Sequence, residues 1–204
     1  MRSCGDMVLS RIYGHGRGWV FSKKDFIDVA SAENIDKALS LLTKEGKIRR
    51  IARGLYEYPR FSKLLDRELS PDMDKVAHAL ARKFNWHIQP SSDTALNLLG
   101  LSTQVPGRYM YLSNGPSRIY DILGTPLKFK HTALKESGFK YGLSAVIVQA
   151  LKALGKERIT DEALDAIHKQ IDAGMCPRLL KDTKTTTTWI YELIKKMCKG
   201  TNDA

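Results

Sequence analysis

The chain has 204 residues, of which 43% are hydrophobic and 27% are charged, a composition typical of a globular protein with one large or two small domains. This excludes disordered and fibrous classes, and no apolar run reaches the roughly 18 residues that a membrane-spanning helix needs. The first residues lack the apolar core of a signal peptide, so we expect a cytoplasmic protein with no membrane partner. The 33 lysines and arginines outnumber the 22 acidic residues, for a net charge of +11. Such a charge favours a phosphate-rich partner, above all nucleic acid.

No motif for catalysis, cofactor binding or metal binding is found in the sequence. The three cysteines, Cys4, Cys176 and Cys198, are far apart, so we expect no structural zinc site, and inert buried thiols are favoured over a catalytic cysteine. The five histidines have no metal-ligand spacing, and the phosphate-binding pattern GxxxxGK[ST] is absent. We therefore expect a protein that is not an enzyme and that has no cofactor and no metal.

The N-terminal part of the chain predicts three short helices and a β-hairpin. Ser22 and Asp25 have the spacing of a capping box, and Ser31 supplies a further helix cap. Gly46 suits the left-handed position that ends a helix, and Gly54 suits a hairpin turn. In chain order we expect a helix over residues 6–13, a strand at 19–21, a helix over 23–30, a third helix ending at Gly46, and strands at 47–51 and 55–58. This order is that of a winged helix-turn-helix, which we assign to residues 1–62 and which would bind double-stranded DNA.

The third predicted helix supplies the candidate base contacts. Its apolar positions Ile35, Leu39 and Leu42 define a buried face, so the polar residues between them point outward. A helix fits the major groove, where asparagine pairs with adenine and lysine donates to guanine. We predict base reading by Asn34, Lys37 and Ser40 on this helix.

The candidate phosphate contacts lie at the helix ends and on the hairpin, or wing. Lys23, Lys24 and Lys44 are placed for phosphates rather than bases. Neighbouring strand residues alternate faces, so at most one of Arg49 and Arg50 can face the phosphates, while Arg53 lies at the wing tip, where it can enter the minor groove. The complete set of predicted DNA-binding residues is Lys23, Lys24, Asn34, Lys37, Ser40, Lys44, Arg49, Arg50 and Arg53.

The remainder of the chain predicts an α+β domain, assigned to residues 67–204, after a linker or a short helix at residues 59–70. We expect a small antiparallel sheet in its middle and helices towards its C-terminus, so the whole chain belongs to the α+β class. The predicted helices are 73–84, 94–99, 143–154, 161–173 and 189–197, and the predicted strands are 86–89, 109–112, 118–122 and 127–130.

Several short blocks lie in this second part: Thr94-Ala95-Leu96, LGLSTQVP at residues 99–106, LSNGPSR at 112–118 and FKHT at 129–132. In these blocks, and in RGLY at residues 53–56 and Trp189-Ile190, the sequence resembles AbiEi-type antitoxins of bacterial type IV toxin–antitoxin systems, especially their shorter branch, known only as a domain of unknown function. The pattern LGLxxQVP is the most specific element. The resemblance spans nearly the whole chain.

The resemblance implies a repressor that autoregulates its own operon by binding inverted repeats in the promoter, as a dimer on DNA. It also implies a C-terminal domain that antagonises a nucleotidyltransferase-like toxin, without a need for a stable complex, and hence a role in phage defence. Two alternatives remain open. One is a stand-alone winged-helix transcriptional regulator, and the other is a winged-helix protein-interaction adaptor. The basic residues clustered at the third helix and the wing favour DNA over the adaptor.

Overall fold

The computed structural model describes residues 3–102, 109–132, 139 and 141–200, and these form eight α-helices and small antiparallel sheets. The α+β class predicted from the sequence is therefore confirmed. The chain divides into two compact units, Met1–Trp86 with Ile119–Leu127 and His87–Arg118 with Lys128–Ala204. No helix among the described residues is long and apolar enough to cross a membrane.

The first unit begins with helices and a three-stranded sheet. Its elements are α1 (Cys4–His15), β1 (Val20–Phe21), a 3-10 helix (Lys23–Phe26), α2 (Ala32–Lys44), β2 (Arg49–Ala52) and β3 (Leu55–Glu57). The strand order is β1-β3-β2, and β3 pairs antiparallel with both neighbours. The third predicted helix and the predicted hairpin are present, each within a few residues of the expected bounds.

The core of this part is built from one apolar face of each helix. Ile12 of α1, Phe26 of the 3-10 helix and Leu39 of α2 are fully buried in one cluster. On α2 the buried positions repeat every three or four residues, as an amphipathic helix requires. Because these positions fix the inward face of α2, its polar residues are left on the outside.

The prediction of the second helix, over residues 23–30, is wrong over most of that length. The capping box is present, since the Ser22 hydroxyl and the Asp25 carboxylate bond reciprocally to backbone N–H groups. However, the helical turn is of 3-10 type and ends at Phe26, before a turn. Phe26 is buried whereas Ile27 is 67% exposed, so no apolar face continues that would stabilise a longer helix by packing.

The segment predicted as a linker forms a second small hairpin, β4 (Phe61–Ser62) paired with β5 (Arg67–Glu68). It is followed by α3 (Met73–Phe84), whose predicted bounds are confirmed. Its first turn is capped by the Asp72 carboxylate. The first compact unit runs on through α3 to Trp86, and the predicted boundary at residues 62–67 stays a prediction.

The second unit combines strands with five helices in its described part. In chain order the elements from residue 88 onward are β6 (Ile88–Pro90), α4 (Ser92–Leu98), β7 (Tyr109–Ser113), β8 (Arg118–Ile122), β9 (Thr125–His131), α5 (Gly142–Leu154), α6 (Asp161–His168), α7 (Cys176–Thr183) and α8 (Thr188–Gly200). The strand order is β6-β7-β9-β8. The ends of β8 and β9 that flank their connecting turn, residues 119–127, are grouped with the first unit.

The helices of the second unit share one core. Ile147 and Leu151 of α5, Leu179 of α7 and Ile194 of α8 are fully buried in it. The helix predicted over residues 161–173 ends early, at His168, and α7 was not predicted. A proline in the first turn of α7 is compatible with a helix start, because the N–H groups there have no helical partner.

The cysteine prediction changes in one respect. Cys176 and Cys198 are buried, as expected, but they are joined to each other in a disulfide, with Cα atoms 5.6 Å apart. This bond ties the start of α7 to the end of α8. The remaining cysteine, Cys4, is half-buried and free.

Candidate nucleic-acid interface

The outward face of α2 brings together most of the residues predicted to read bases. Ile35, Leu39 and Leu42 are buried, which leaves the opposite side of the helix in solvent. A shallow groove on that side is lined by Glu33, Asp36, Lys37, Ser40, Leu41 and Lys44. Asn34 is exposed at the start of the same helix, where its backbone N–H donates to the Ser31 hydroxyl. The sequence analysis missed Leu41, which is 55% exposed here.

Acidic residues balance part of the positive charge on this face. Lys37 pairs with Glu33 at 2.8 Å, and Lys23 pairs with Asp36 at 2.9 Å. All four side chains are more than half exposed, and ion pairs of this kind contribute little to stability. These lysines can therefore exchange their carboxylate partners for a ligand at small cost. Lys44 forms no ion pair with any described residue.

Lys23 and Lys24 lie at the start of the 3-10 helix, beside α2. Ser22 holds this turn, because its hydroxyl accepts from the Lys24 backbone N–H. Both lysine side chains are exposed. The Lys23–Asp36 pair links the 3-10 helix to the outward face of α2, so the two predicted sets of contacts are continuous.

Arg49 is engaged inside the fold rather than on the surface. Its guanidinium donates to Glu57 Oε2 at 2.8 Å, to Glu68 Oε2 at 3.1 Å and to the Leu69 carbonyl at 2.5 Å. Glu57 lies directly opposite on β3 and is fully buried. Burial raises the pKa of Glu57, and the hydrogen bond and charge of Arg49 oppose that rise. Two carboxylates thus neutralise Arg49.

Arg50 and Arg53 are the exposed cations of the β2–β3 hairpin. The Arg50 Nε atom donates to the Ala52 carbonyl at 3.4 Å, and no described acidic residue forms an ion pair with either arginine. Gly54 has a φ of +66°, a left-handed conformation that suits glycine at the hairpin turn. The two arginines are therefore uncompensated charges at the end of the hairpin.

Lys83, near the end of α3, is a basic residue of this region that sequence analysis missed. Its ammonium donates to the Arg53 carbonyl at 2.8 Å. Burial lowers the pKa of Lys83, and the neighbouring charges of Arg50, Arg53 and Lys23 lower it further. No local signal identifies it, because 30 residues separate it from Arg53.

A second depression lies between α1 and the residues that follow the 3-10 helix, and it holds an ion pair. It is lined by Met7, Ser10, Arg11, Gly14, His15, Asp28 and Val29. The Arg11 guanidinium binds both Asp28 oxygens, at 2.6 and 2.7 Å, and thereby lowers the pKa of Asp28 to about 2. The Arg11 and Asp28 charges therefore neutralise each other. No described cluster of histidine, cysteine and acidic side chains could hold a metal ion.

The blocks that carry the antitoxin resemblance have structural roles where they are described. The Thr94 hydroxyl is buried and bonds to both the N–H and the carbonyl of Met110, which ties α4 to β7. His131 bonds through its backbone N–H to the Ser117 hydroxyl and through its ring to the Gly115 carbonyl. These contacts hold the turn between β7 and β8. Gln104, Val105 and Pro106, the end of the most specific block, lie outside the described residues.

The family of unknown function DUF6088 matches residues 7–175, more than half of the chain. The chain belongs to this family. The match covers α2, the β2–β3 hairpin and Lys83, so the candidate interface lies within the DUF6088 region. No curated protein matches the chain.

Proposed function

We propose that the first unit is a winged helix-turn-helix that binds double-stranded DNA, with α2 in the major groove and the β2–β3 hairpin as the wing. The order of helices and strands supports this, as does the antiparallel sheet β1-β3-β2, because this is the arrangement such domains use. One observation carries the proposal. Lys37, Ser40 and Lys44 line one groove on the exposed side of α2, and Asn34 is exposed at the start of that helix, in a unit whose hairpin also presents exposed arginines.

The contacts divide into base readers and phosphate binders. Asn34, Lys37 and Ser40 are assigned to base edges, where amide, ammonium and hydroxyl groups distinguish bases by hydrogen bonding. The phosphate contacts are assigned to Lys23, Lys24, Lys44, Arg50 and Arg53, because a point charge on a phosphate positions the protein without reading sequence. Arg49 is left out of the interface, since Glu57 and Glu68 already neutralise it.

The acidic residues on α2 sharpen this proposal. Glu33 and Asp36 lie in the same groove as Lys37. Their carboxylates repel DNA phosphates unless α2 lies in the major groove with its base contacts formed. A carboxylate can also accept a hydrogen bond from the cytosine amino group. We therefore expect the face of α2 to bind non-specific DNA weakly and a matching site much more tightly.

The first test is the salt dependence of DNA binding by the full-length chain. Each neutralised phosphate changes the slope of log K against log salt by about −0.9. The five assigned cations predict a slope of about −3.6 if Arg50 and Arg53 share one phosphate and about −4.5 if each meets its own. Fluorescence anisotropy with a labelled duplex, across a series of salt concentrations, measures it. A flat response, or no binding at low salt, would contradict DNA binding through this surface.

The second test asks whether α2 reads bases. Duplexes that the wild-type protein selects from a random pool provide the specific site, and the unselected pool provides the reference. Lys37→Ala should weaken binding to the selected site by roughly 1–3 kcal/mol, with little effect on the pool, because a lost base contact is a sequence-specific loss. Lys169→Ala, an exposed lysine of the second unit, is the control and should change neither affinity. If Lys37→Ala weakened both affinities equally, α2 would not be the reading helix.

Autoregulation, dimeric binding to inverted repeats and antagonism of a nucleotidyltransferase-like toxin rest on the resemblance to AbiEi-type antitoxins and stay predictions. DNA binding by the first unit does not depend on them. A stand-alone regulator would use the same interface. A protein-interaction adaptor would not need uncompensated arginines on the hairpin. A flat salt response would favour this alternative over DNA binding.

A further inference from the structure

The end of α3 contacts the tip of the β2–β3 hairpin through one lysine. The Lys83 ammonium donates to the Arg53 carbonyl at 2.8 Å, and the side chain is half-buried. The same ammonium lies against Gly54, where a Cβ atom would be 2.9 Å from Lys83 Nζ. The ammonium of α3 is therefore in direct contact with the backbone of the tip.

Three positive charges converge at this tip without an acidic partner. Lys83, Arg50 and Arg53 form no ion pair with any described residue. By contrast, two other basic residues of the first unit do have such partners: Lys23 pairs with Asp36, and Arg82 pairs with Asp25. The Lys83 ammonium and the Arg50 guanidinium bond to the carbonyls of two consecutive residues of the tip, Arg53 at 2.8 Å and Ala52 at 3.4 Å, so these charges lie close together. In keeping with this, burial lowers the pKa of Lys83 and the neighbouring cations lower it further. A bound anion would relieve the repulsion among these charges.

We infer that Lys83, Arg50 and Arg53 form a phosphate-binding site at the hairpin tip, and that its ligand is a backbone phosphate of duplex DNA. The inference rests on the proposed DNA binding and adds a third element, α3, to the interface. The 3-10 helix connects the two regions, because its Lys23 pairs with Asp36 on the α2 face and its Asp25 pairs with Arg82, the neighbour of Lys83 on α3. Three cations suit a phosphate, which offers several acceptor oxygens and contacts of this kind without sequence preference.

The test compares two charge-neutralising variants of α3 in the full-length protein. Lys83→Gln removes the charge but keeps a group that can donate to the Arg53 carbonyl. Lys75→Gln removes an exposed charge from the first turn of the same helix. With a random-sequence duplex as the probe, Lys83→Gln should weaken binding and make the log–log salt slope shallower by up to about 0.9, the value of the one phosphate contact that the three cations share. Lys75→Gln should leave both quantities at their wild-type values.

A second variant guards against a purely structural effect. Arg50→Gln should likewise make the salt slope shallower, by a similar amount, since both cations contribute to one phosphate contact. Thermal unfolding of each variant shows whether the fold is kept. If the wild type binds with a steep slope and Lys83→Gln binds identically, α3 lies outside the interface while the proposed function stands. If the wild type does not bind DNA, the proposed function and this inference both fail.

Discussion

Glu57 is a carboxylate on β3 whose side chain is fully shielded from solvent. Its Oε2 atom accepts hydrogen bonds from Arg49, while Oε1 has no hydrogen-bond partner among the described residues. A buried carboxylate is costly unless a cation compensates it. The Arg49 side chain is only 21% exposed, so the pair is largely removed from water. The function of Arg49 in this hairpin is therefore to make the burial of Glu57 possible.

Arg49→Ala should destabilise the protein by about 3–5 kcal/mol, the usual cost of leaving a buried charge unpaired. Burial already raises the pKa of Glu57, and losing Arg49 raises it further. A carboxyl whose folded pKa lies above its unfolded value contributes stability below the unfolded pKa and loses it as the pH rises through the folded pKa. The variant should therefore be most destabilised near neutral pH and recover towards pH 4. Urea unfolding at several pH values measures this.

Arg50→Ala is the matched control for that measurement, because Arg50 is exposed on the same strand and pairs with no described carboxylate. Its free energy of unfolding should stay within about 0.5 kcal/mol of the wild type. Equal losses for the two arginine variants would contradict the role assigned to Arg49.

Arg49 and Arg50 also show which side-chain orientations can be predicted from the sequence and which cannot. Strand alternation predicts that Arg49 and Arg50 lie on opposite faces, and this is what the structure has. Which of them turns inward depends on Glu57 and Glu68, which lie 8 and 19 residues further along the chain. Lys83 could not be predicted for the same reason. Its contact is tertiary, and nothing in α3 itself distinguishes it from other surface lysines.

At the scale of elements, helices with complete local signals were predicted well. α3 has an Asp72 cap at its start and Asn85 in the left-handed conformation at its end, and both signals can be read from the sequence. The helix predicted over residues 23–30 had a good cap but no continuing apolar face, and only its first turn formed. α7 was missed because its start has no side-chain cap. Capping and packing are both needed to define a helix.

α3 is bonded to the start of the first unit. The Arg82 guanidinium donates to Asp25 Oδ1 at 3.0 Å and to the Val20 carbonyl at 2.8 Å. Val76 and Leu80 on the same helix are buried. These contacts join α3 to β1 and to the 3-10 helix, which lie about fifty to sixty residues earlier.

A fragment ending at residue 86 should therefore be more stable than one ending at residue 66. We expect a difference of at least about 3 kcal/mol, since hydrogen bonds of charged groups contribute about 1.5–3 kcal/mol each and burial of α3 adds to them. Chemical denaturation of fragments 1–66 and 1–86 measures the difference. Arg82→Ala should lower the free energy of unfolding of fragment 1–86 part of the way towards that of fragment 1–66. Equal midpoints would instead support a domain boundary at residues 62–67.

On the scale of the whole molecule, the two units are not consecutive stretches of sequence. The first includes residues 119–127 in addition to Met1–Trp86. Within this unit the Tyr120 ring stacks on Phe84, with centroids 6.4 Å apart, and Ile122 and Leu127 are buried. A sequence-based division at one linker could not identify this segment, because its membership depends on contacts with residues far earlier in the chain.

The discontinuity affects how such a protein can be divided or recombined. The chain passes from one unit to the other three times, after Trp86, after Arg118 and after Leu127. A single cut after Trp86 leaves part of the first unit, residues 119–127, on the fragment that carries the second unit. The two fragments of a cleaved chain should therefore reassociate through residues 119–127, which belong to the first unit, as in split-protein complementation. Exchange of the first unit between related genes would likewise have to transfer two separate segments to preserve its packing.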